Sequence, residues 1–449
     1  MALLTSALTG CTFGFASDPD DPNEVVEEVP IDTSVDTFSY DTTLSGTSIT
    51  LLNSKAEIQV ALEAMSAAYE EKSGVHVEVM PVKDGDSPYT KVVSLYNSGN
   101  PPTLSILDTT DVIALAREKA ADLSEEPWIA EAEGYLTYVD GKVYSFPLCI
   151  EGRGIIYNKK VIEDTLGREF DPSVIKTQAD FKALLDELAA AGMERPISMA
   201  KEDWSLGAHQ LQYIYETYDG TSEGAQEAIE AIKDGTIDLE SYDRMSQFVS
   251  AFDILKAYNV AGKDPLGADY DEMAIDLADG KTAFWFNGNW AWPNIEEAGA
   301  KAEDAYGFLP YFMNNDETDF VNQKIQASPS KQVMLDGQFA SKEQQAAAKE
   351  FLNWIVYSEI GQQMLVKRCN IIPPFQNNPY EPADPLSRDI YEKVHAGAAF
   401  NASAIVPNDH WAVLGAAMQK YLADRSDRAE LIETINAYWD EQARLGKGE

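Results

Sequence analysis

The chain has 449 residues, more than a single hydrophobic core usually supports, so we expect two lobes. Its 34 lysine and arginine residues against 75 aspartate and glutamate residues give a formal net charge of −41, which excludes nucleic acid and anionic membrane surfaces as ligands. The sequence contains no apolar run long enough to cross a bilayer.

The first residues have the pattern of a bacterial lipoprotein signal. Leu8-Thr9-Gly10-Cys11 places small residues before a cysteine, after an apolar start and before a polar stretch. We therefore predict that residues 1–11 are a signal peptide remnant and that a lipid on Cys11 anchors the chain outside the bacterial cell membrane. A chance match is the alternative, because the four positions are loosely defined. Residues 12–46 are rich in Asp, Glu, Pro, Ser and Thr and are predicted to form a flexible acidic tether.

The first predicted ordered unit is a strand, a helix and a second strand. Ser48–Leu52 suits a strand, the next segment has apolar residues at helical spacing up to Gly74, and Val75–Val79 alternates as a strand does. Such a unit predicts two parallel strands, and ligands bind at the carboxyl ends of parallel strands. The residues predicted to bind ligand there are Asn53, Lys55 and Glu57. For the two charged residues, a solvated surface position is the alternative.

The remaining cysteines give no sign of a metal site. Cys149 and Cys369 lack the spacing of metal ligands, and no phosphate-binding loop is visible, so we predict neither a metal nor a cofactor. Both cysteines are expected to be buried free thiols. They lie near the predicted passages between lobes, so a disulfide is the alternative.

Tryptophans follow two predicted strands in the second half of the chain. Trp204 comes just after the strand-like Pro196–Met199, which makes it a candidate platform for a ligand. Ala283–Phe286 is a short aromatic strand, and Pro293 suits the first turn of the helix that follows it. At the turn between them we predict three ligand-binding residues, namely Asn287, Asn289 and Trp290. Trp285 and Trp292 are predicted to be core residues instead.

Two segments resemble the extracellular solute-binding proteins of ABC importers, specifically the family that carries maltose and other oligosaccharides. The first is Gly280–Asn294, reading GKTAFWFNGNWAWPN and followed by Gly307-Phe308-Leu309-Pro310. The second is Asp140–Lys159, reading DGKVYSFPLCIEGRGIIYNK. The family usually has proline where this chain has Asn289. The similarity extends over nearly all of the chain from Ser48 onward.

The resemblance implies a two-lobed α/β fold, the type II periplasmic-binding-protein fold, with three hinge crossings. The N-terminal lobe would comprise residues 47–150 and 307–356, and the C-terminal lobe residues 151–306 and 357–449. Asp108 would end a proline-led strand in the cleft, and Glu151 would contact sugar hydroxyls at the first crossing. A hinge-structuring or helix-capping glutamate is an equal alternative for Glu151. Trp411 is a further platform candidate, although packing on the lobe surface is the stronger interpretation.

The resemblance also implies the function: a monomeric binding protein, not an enzyme, that closes on an oligosaccharide and docks on ABC permease subunits. Aromatic rings cover the apolar faces of sugars, and amides and carboxylates bind their hydroxyls. Alternatives are the same fold with a polyamine or another solute, and a glycoside hydrolase. A hydrolase needs a pair of carboxylates, and no spacing singles one out. The mixture of amides, acids and indoles favours a neutral polyol.

Overall fold

The computed structural model describes residues 30–83 and 86–447. The predicted signal remnant with Cys11, and residues 12–29 of the predicted tether, lie outside the described residues. Among the described helices, none combines the length and apolarity that a membrane span requires.

The described chain alternates strands and helices from residue 48 onward. The strands are β1 (Ser48–Asn53), β2 (His76–Pro81), β3 (Leu104–Asp108), β4 (Tyr138–Val139), β5 (Lys142–Val143), β6 (Ser145–Asn158), β7 (Ile197–Ser198), β8 (Phe284–Gly288), β9 (Tyr306–Leu309), β10 (Ile325–Leu335) and β11 (Ala399–Phe400). The helices of the first half are α1 (Gln59–Ser73), α2 (Pro88–Asn97), α3 (Thr109–Lys119), α4 (Lys159–Leu166), α5 (Gln178–Ala190), α6 (Tyr213–Glu216), α7 (Ser222–Lys233) and α8 (Asp243–Ala257). Those of the second half are α9 (Tyr270–Ala278), α10 (Trp292–Glu297), α11 (Phe320–Gln323), α12 (Lys342–Tyr357), α13 (Glu359–Gln363), α14 (Pro385–His395), α15 (His410–Leu422) and α16 (Arg428–Lys447).

One large sheet runs through the whole molecule in the order β2-β1-β3-β10-β6-β8-β7, with β9 beside β6 and β11 beside β10. Strand β1 pairs in parallel with β2, as the strand–helix–strand pattern predicts. The left-handed Gly74, with φ of 73°, ends α1 as predicted.

Two long antiparallel strands, β6 and β10, join the two ends of this sheet. The first residues of β6 face the last residues of β10, which also pairs with β3. The last residues of β6 pair with β8 and β9 instead. The register between β6 and β10 shifts around Lys331, next to Pro329. Each long strand therefore passes from one half of the molecule to the other.

Separate hydrophobic cores define the two lobes. The core of the first lobe contains Ile49, Leu104, Phe146, Val333 and Phe351. The second lobe has a core on each face of its part of the sheet. One contains Phe181, Phe248, Phe286 and Trp439, and the other contains Trp285, Trp292, Phe308 and Leu386.

The lobe boundaries lie later in the chain than the sequence analysis predicts. Strand β9 pairs with the end of β6, and Tyr311 packs in the second-lobe core, so the chain returns to the first lobe within β10 and not at residue 307. Leu365, Ile371 and Phe375 still pack in the first-lobe core, and Leu386 packs in the second. The last passage thus lies between residues 375 and 386 and not at residue 357.

Part of the predicted tether is folded. Within residues 12–46, the side chains of Ile31, Phe38 and Tyr40 pack against the first-lobe core. The indole Nε1 of Trp354 donates a hydrogen bond to the hydroxyl of Tyr40 over 2.9 Å. The prediction of a tether is therefore wrong for the residues from 30 onward. Their few apolar side chains pack on the first lobe, which the acidic composition of the segment does not indicate.

A buried histidine makes the stability of the second lobe depend on pH. His410 is fully buried among Tyr215, Tyr438 and Trp439, with its Nε2 3.1 Å from the Tyr215 hydroxyl. Burial lowers the pKa of His410 to about 3. Between pH 6.5, the pKa of histidine in the unfolded chain, and pH 3, the unfolded chain binds a proton that the folded chain does not. The free energy of unfolding therefore decreases as the pH is lowered through this range.

We therefore expect the free energy of unfolding of the wild type to fall by up to about 1.4 kcal/mol per pH unit below pH 6.5 from this residue alone. In His410→Gln, which keeps a polar atom near the Tyr215 hydroxyl, that part of the slope should disappear. Urea denaturation at pH 7 and pH 5 measures the difference, with exposed His76→Gln as the control. Equal slopes for the wild type and His410→Gln would contradict the assignment.

Candidate functional site

A small cavity of about 40 Å³, partly open to solvent, lies where the two lobes meet; we call it the interlobe cavity. Its lining comes from the first lobe (Lys55, Glu57, Ile58, Arg368, Cys369, Asn370 and Ile371), from β6 (Cys149, Ile150 and Glu151) and from the second lobe (Asn289, Trp290, Trp292, Pro293 and Asp384). A larger open groove near Asp253 and Arg428 belongs to the second lobe alone and contains no predicted site residue. The interlobe cavity is therefore the candidate site.

Lys55 and Glu151 form a buried ion pair in the interlobe cavity. The Nζ of Lys55, whose side chain is 5% exposed, contacts a carboxylate oxygen of Glu151 and lies 2.7 Å from Glu57 Oε1. The hydroxyl of Ser330 on β10 donates to the other carboxylate oxygen of Glu151. Burial alone would raise the pKa of Glu151, but the charge of Lys55 and these hydrogen bonds hold the pKa below its usual range.

These contacts decide between the two interpretations of Glu151. Both of its carboxylate oxygens are engaged, one from the loop after β1 and one from β10, while Glu151 itself lies on β6. The residue thus ties together three segments at the passage between the lobes. The arrangement favours the hinge-structuring role over a direct contact with sugar.

Asn53 shapes the loop that presents Lys55. Its side-chain nitrogen donates to the Lys55 carbonyl oxygen over 2.8 Å and to Gln59 Oε1 over 2.9 Å, and its oxygen accepts from the Lys55 amide over 2.8 Å. Asn53 is also fully buried. The amide of Asn53 is thus satisfied within the loop and supports its shape, and the predicted contact with a ligand stays a prediction.

Asn287 and Asn289 are also satisfied internally. The side-chain oxygen of Asn289 accepts from the Gly152 amide over 2.9 Å, and its nitrogen donates to the Ser387 hydroxyl over 3.1 Å. The oxygen of Asn287 accepts from the Gly288 amide over 2.9 Å. Asn289 lines the interlobe cavity but holds the turn after β8 against β6 and α14. Both amides therefore hold the turn in place, and a contact of either with the ligand stays a prediction.

An aromatic cluster adjoins the interlobe cavity. The ring of His209 lies 4.8 Å from the Trp290 ring and 5.2 Å from the Trp204 ring, between centroids, and Tyr270 lies 5.7 Å from Trp204. Trp204 and Trp290 are half-buried. The Trp290 ring covers Gly288, where a Cβ atom would come within 2.0 Å of it. The structure thus brings both predicted platform residues together around one histidine.

The other two tryptophans of this region are core residues. Trp285 and Trp292 are fully buried, as the sequence analysis predicts. Trp285 extends the aromatic cluster inward, because its ring lies 4.9 Å from that of Tyr270.

Asp108 lies at the end of β3, where the proline-led segment places it. Its carboxylate accepts a hydrogen bond from Lys331 Nζ over 2.7 Å, and its side chain remains 48% exposed, so it can still reach a ligand. Nearby, Asp111 Oδ1 accepts from Asn408 Nδ2 over 3.1 Å, a direct contact between the lobes. Burial, together with the charge of Asp108, raises the pKa of Asp111 to about 7.

Trp411 lies three residues after Asn408, in the first turn of α15 and not on a preceding loop. Its side chain is half-buried, and among the described residues no aromatic ring packs against it. The Trp411 backbone adjoins Gly207 in the turn that carries His209, but its ring contacts no ring of the aromatic cluster among the described residues, and its platform role stays a prediction.

The sequence analysis does not single out several residues of this region. His209, Asp111, Asn408, Ser330 and Lys331 acquire their roles from partners far away in the chain. His209 lies in a π-helical turn, Ser205–Gln210, and such turns are frequent at functional sites. The only local signal for it is its position five residues after Trp204.

The described residues hold no group of three metal-ligating side chains. Cys149 and Cys369 are both buried and free, so the expectation of free thiols is confirmed and a disulfide is not formed.

Comparison with known proteins places the chain among binding proteins. Residues 64–387 match the profile of the bacterial extracellular solute-binding protein family. The multiple sugar-binding protein of Streptococcus mutans is 26% identical over 266 residues, or 57% of this chain. The matched segment spans 60% of the length of that relative.

Solved structures confirm the predicted two-lobed α/β fold. A chitin oligosaccharide binding protein superposes with a TM-score of 0.70 at 23% identity, covering 88% of this chain and 99% of the other. The solute-binding protein RafE in complex with raffinose gives 0.73 at 19% identity, covering 88% and 100%.

The ion pair in the interlobe cavity predicts a non-additive effect on stability. Lys55→Met leaves the Glu151 carboxylate buried without its partner, so we expect a loss of about 3–5 kcal/mol in the free energy of unfolding. Lys55→Met combined with Glu151→Gln should lose less than the sum of the two single variants. Urea denaturation of all four proteins measures the coupling. Additive effects would show that the pair contributes nothing at the passage between lobes.

Proposed function

The chain belongs to the bacterial extracellular solute-binding protein family, and on this basis we propose that it captures a neutral oligosaccharide between its lobes and delivers it to an ABC importer. Members of this family act outside the cytoplasm. The curated relative and the structural neighbours named above are sugar-binding proteins by name, which supports an oligosaccharide as the ligand.

The observation that carries the proposal is the composition of the interlobe cavity. Lys55 and Glu57 come from the first lobe and Trp290 from the second, so one ligand can touch both lobes at once. A ligand that bridges two lobes stabilises the arrangement in which they are close together. The Asn408–Asp111 hydrogen bond already links the lobes beyond the cavity.

The available side chains suit a sugar. The half-buried Trp204 and Trp290 offer ring faces, and the exposed part of Asp108 and the Glu57 carboxylate offer hydrogen-bond acceptors for hydroxyl groups. We propose these four residues as ligand contacts, with Lys55 and Glu151 as the support behind them.

The charge balance argues against a polyamine. Lys55 is surrounded by Glu57 and Glu151, so two of the three carboxylates that line the cavity already have a cation. A cationic ligand would have to displace Lys55 from a buried site. A glycoside hydrolase would need two free carboxylates across the scissile bond, and Glu151 is engaged on both oxygens. We therefore propose that the protein is not an enzyme and that it hands the sugar on intact.

Closure is proposed to bend the three segments where the chain passes between cores, in β6, in β10 and between residues 375 and 386. The register shift beside Pro329 weakens the pairing of β6 and β10 at that level, because proline cannot donate a hydrogen bond. We further propose that a lipid on Cys11 anchors the protein and that a monomer docks on the permease.

We expect one series of sugars to bind with a dissociation constant near micromolar, about −8 kcal/mol. Isothermal titration calorimetry should be run with raffinose, chitin oligosaccharides, and malto-, cello-, galacto- and fructo-oligosaccharides, with spermidine as the cationic control. Prolonged incubation and chromatography should return the bound sugar unchanged. The proposal would be overturned if none of the sugars bound, if only spermidine bound, or if the recovered sugar were shortened.

Removing a platform ring should weaken binding while the fold remains. For Trp290→Ala we expect a loss of about 2 kcal/mol in binding free energy, and a similar loss for Trp204→Ala. Tyr138→Ala is the matched control, because this aromatic side chain is 62% exposed and lies outside the site. Unchanged affinity in both tryptophan variants would mean that the rings only pack against His209.

A further inference from the structure

His209 lies between the two tryptophans that we propose as platforms. Its ring is 4.8 Å from Trp290, which lines the interlobe cavity, and 5.2 Å from Trp204. The histidine is itself half-buried. A polar ring thus occupies a place between two indoles where an apolar side chain would pack equally well.

The imidazole is not satisfied by the protein. Within residues 30–83 and 86–447, neither ring nitrogen of His209 makes a hydrogen bond, and Nδ1 is fully buried. The other histidine packed among tryptophan and tyrosine rings, His410, also leaves Nδ1 without a partner, but its Nε2 lies 3.1 Å from the Tyr215 hydroxyl. The two histidines therefore differ at Nε2. Buried polar atoms without partners cost stability and are rare in folded proteins, so the place of His209 needs an explanation.

Burial favours the neutral form of His209. Burial, and then the positive charges of Arg153 and Lys331, hold the pKa of His209 well below its ordinary value. A neutral imidazole has one hydrogen-bond donor and one acceptor.

The neighbouring charges are used within the protein. Arg153 Nε donates to the His209 carbonyl oxygen over 3.0 Å, one terminal nitrogen donates to Gln326 Oε1 over 2.9 Å, and the other contacts the buried Glu216 carboxylate. Arg153 and Glu216 therefore neutralise each other, and neither offers an unpaired charge to a ligand beside the imidazole.

We propose that His209 is a ligand-binding residue whose imidazole exchanges a hydrogen bond with a hydroxyl group of the sugar that lies against Trp204 or Trp290. A hydroxyl both donates and accepts, so it can pair with Nε2 in either tautomer of a neutral imidazole without bringing a charge. The inference rests on the proposed function and narrows it. The second-lobe side of the site selects uncharged, hydroxyl-bearing rings.

The test compares two replacements of the imidazole. His209→Phe keeps a flat ring between the indoles and removes both nitrogens, and His209→Gln keeps an amide near the position of Nε2. With raffinose and the other sugars of the calorimetric panel, we expect His209→Phe to weaken binding by about tenfold or more. His209→Gln should stay within about threefold of the wild type. His395→Phe, at the exposed end of α14, is the control and should bind like the wild type.

A melting temperature of His209→Phe at or above that of the wild type, together with its weaker binding, supports the proposal, because a purely structural histidine would not separate the two. Wild-type affinity in His209→Phe overturns it and leaves the proposed function standing. If His209→Phe does not fold, His209→Asn replaces it, since its shorter amide cannot reach the same hydroxyl, and wild-type affinity there is equally contrary. A wild type that binds none of the sugars overturns the proposed function and this inference together.

Discussion

The structure depends on one constraint: two long antiparallel strands, β6 and β10, belong to both lobes. Any change in the angle between the lobes must therefore be absorbed by a few residues of these strands. A register shift beside Pro329 weakens the backbone pairing of β6 and β10 at this level. Side-chain contacts between the same segments then strengthen their association. Glu151 on β6, Ser330 on β10 and Lys55 from the first lobe meet at this level. A buried ion pair of this kind fixes geometry better than it adds stability, which suits a place where two arrangements must be well defined.

The local parts of the fold could be predicted from the sequence because their causes are local. The alternation of β1 and β2, the helical spacing of α1 and its end at Gly74 all follow from residues within a few positions of each other. The full burial of Trp285 and Trp292 follows from the short aromatic strand and the turn beside it. The lobe boundaries could not be predicted in this way. A crossing inside β10 looks like any other buried strand, and only its partners β3 and β11 show that it belongs to two lobes.

The candidate site could also be predicted only where its causes are local in sequence. Trp204 and Trp290 follow strands, and the structure does bring them together, but the histidine between them is what joins them. The amides of Asn53 and Asn289 have the right chemistry for hydroxyl groups and the right position after a strand. Both amides nevertheless form hydrogen bonds within the protein, and the partner of Asn289, Gly152, is 137 residues away in sequence. Residue type and position identify where a site lies, whereas the competition between ligand and protein for each polar atom is decided by distant contacts.

The same competition bears on the charge of the ligand. A formal charge of −41 would suggest affinity for cations if the charges acted together. Around the interlobe cavity, however, several charges are paired: Lys55 with Glu57 and Glu151, and Arg153 with Glu216. Pairs of this kind have little influence on a ligand a few ångströms away. The contacts that we propose are then mainly indole rings, an imidazole and the partly exposed Asp108. The acidic surface keeps the protein in solution, while local pairing makes its binding site suitable for an uncharged sugar.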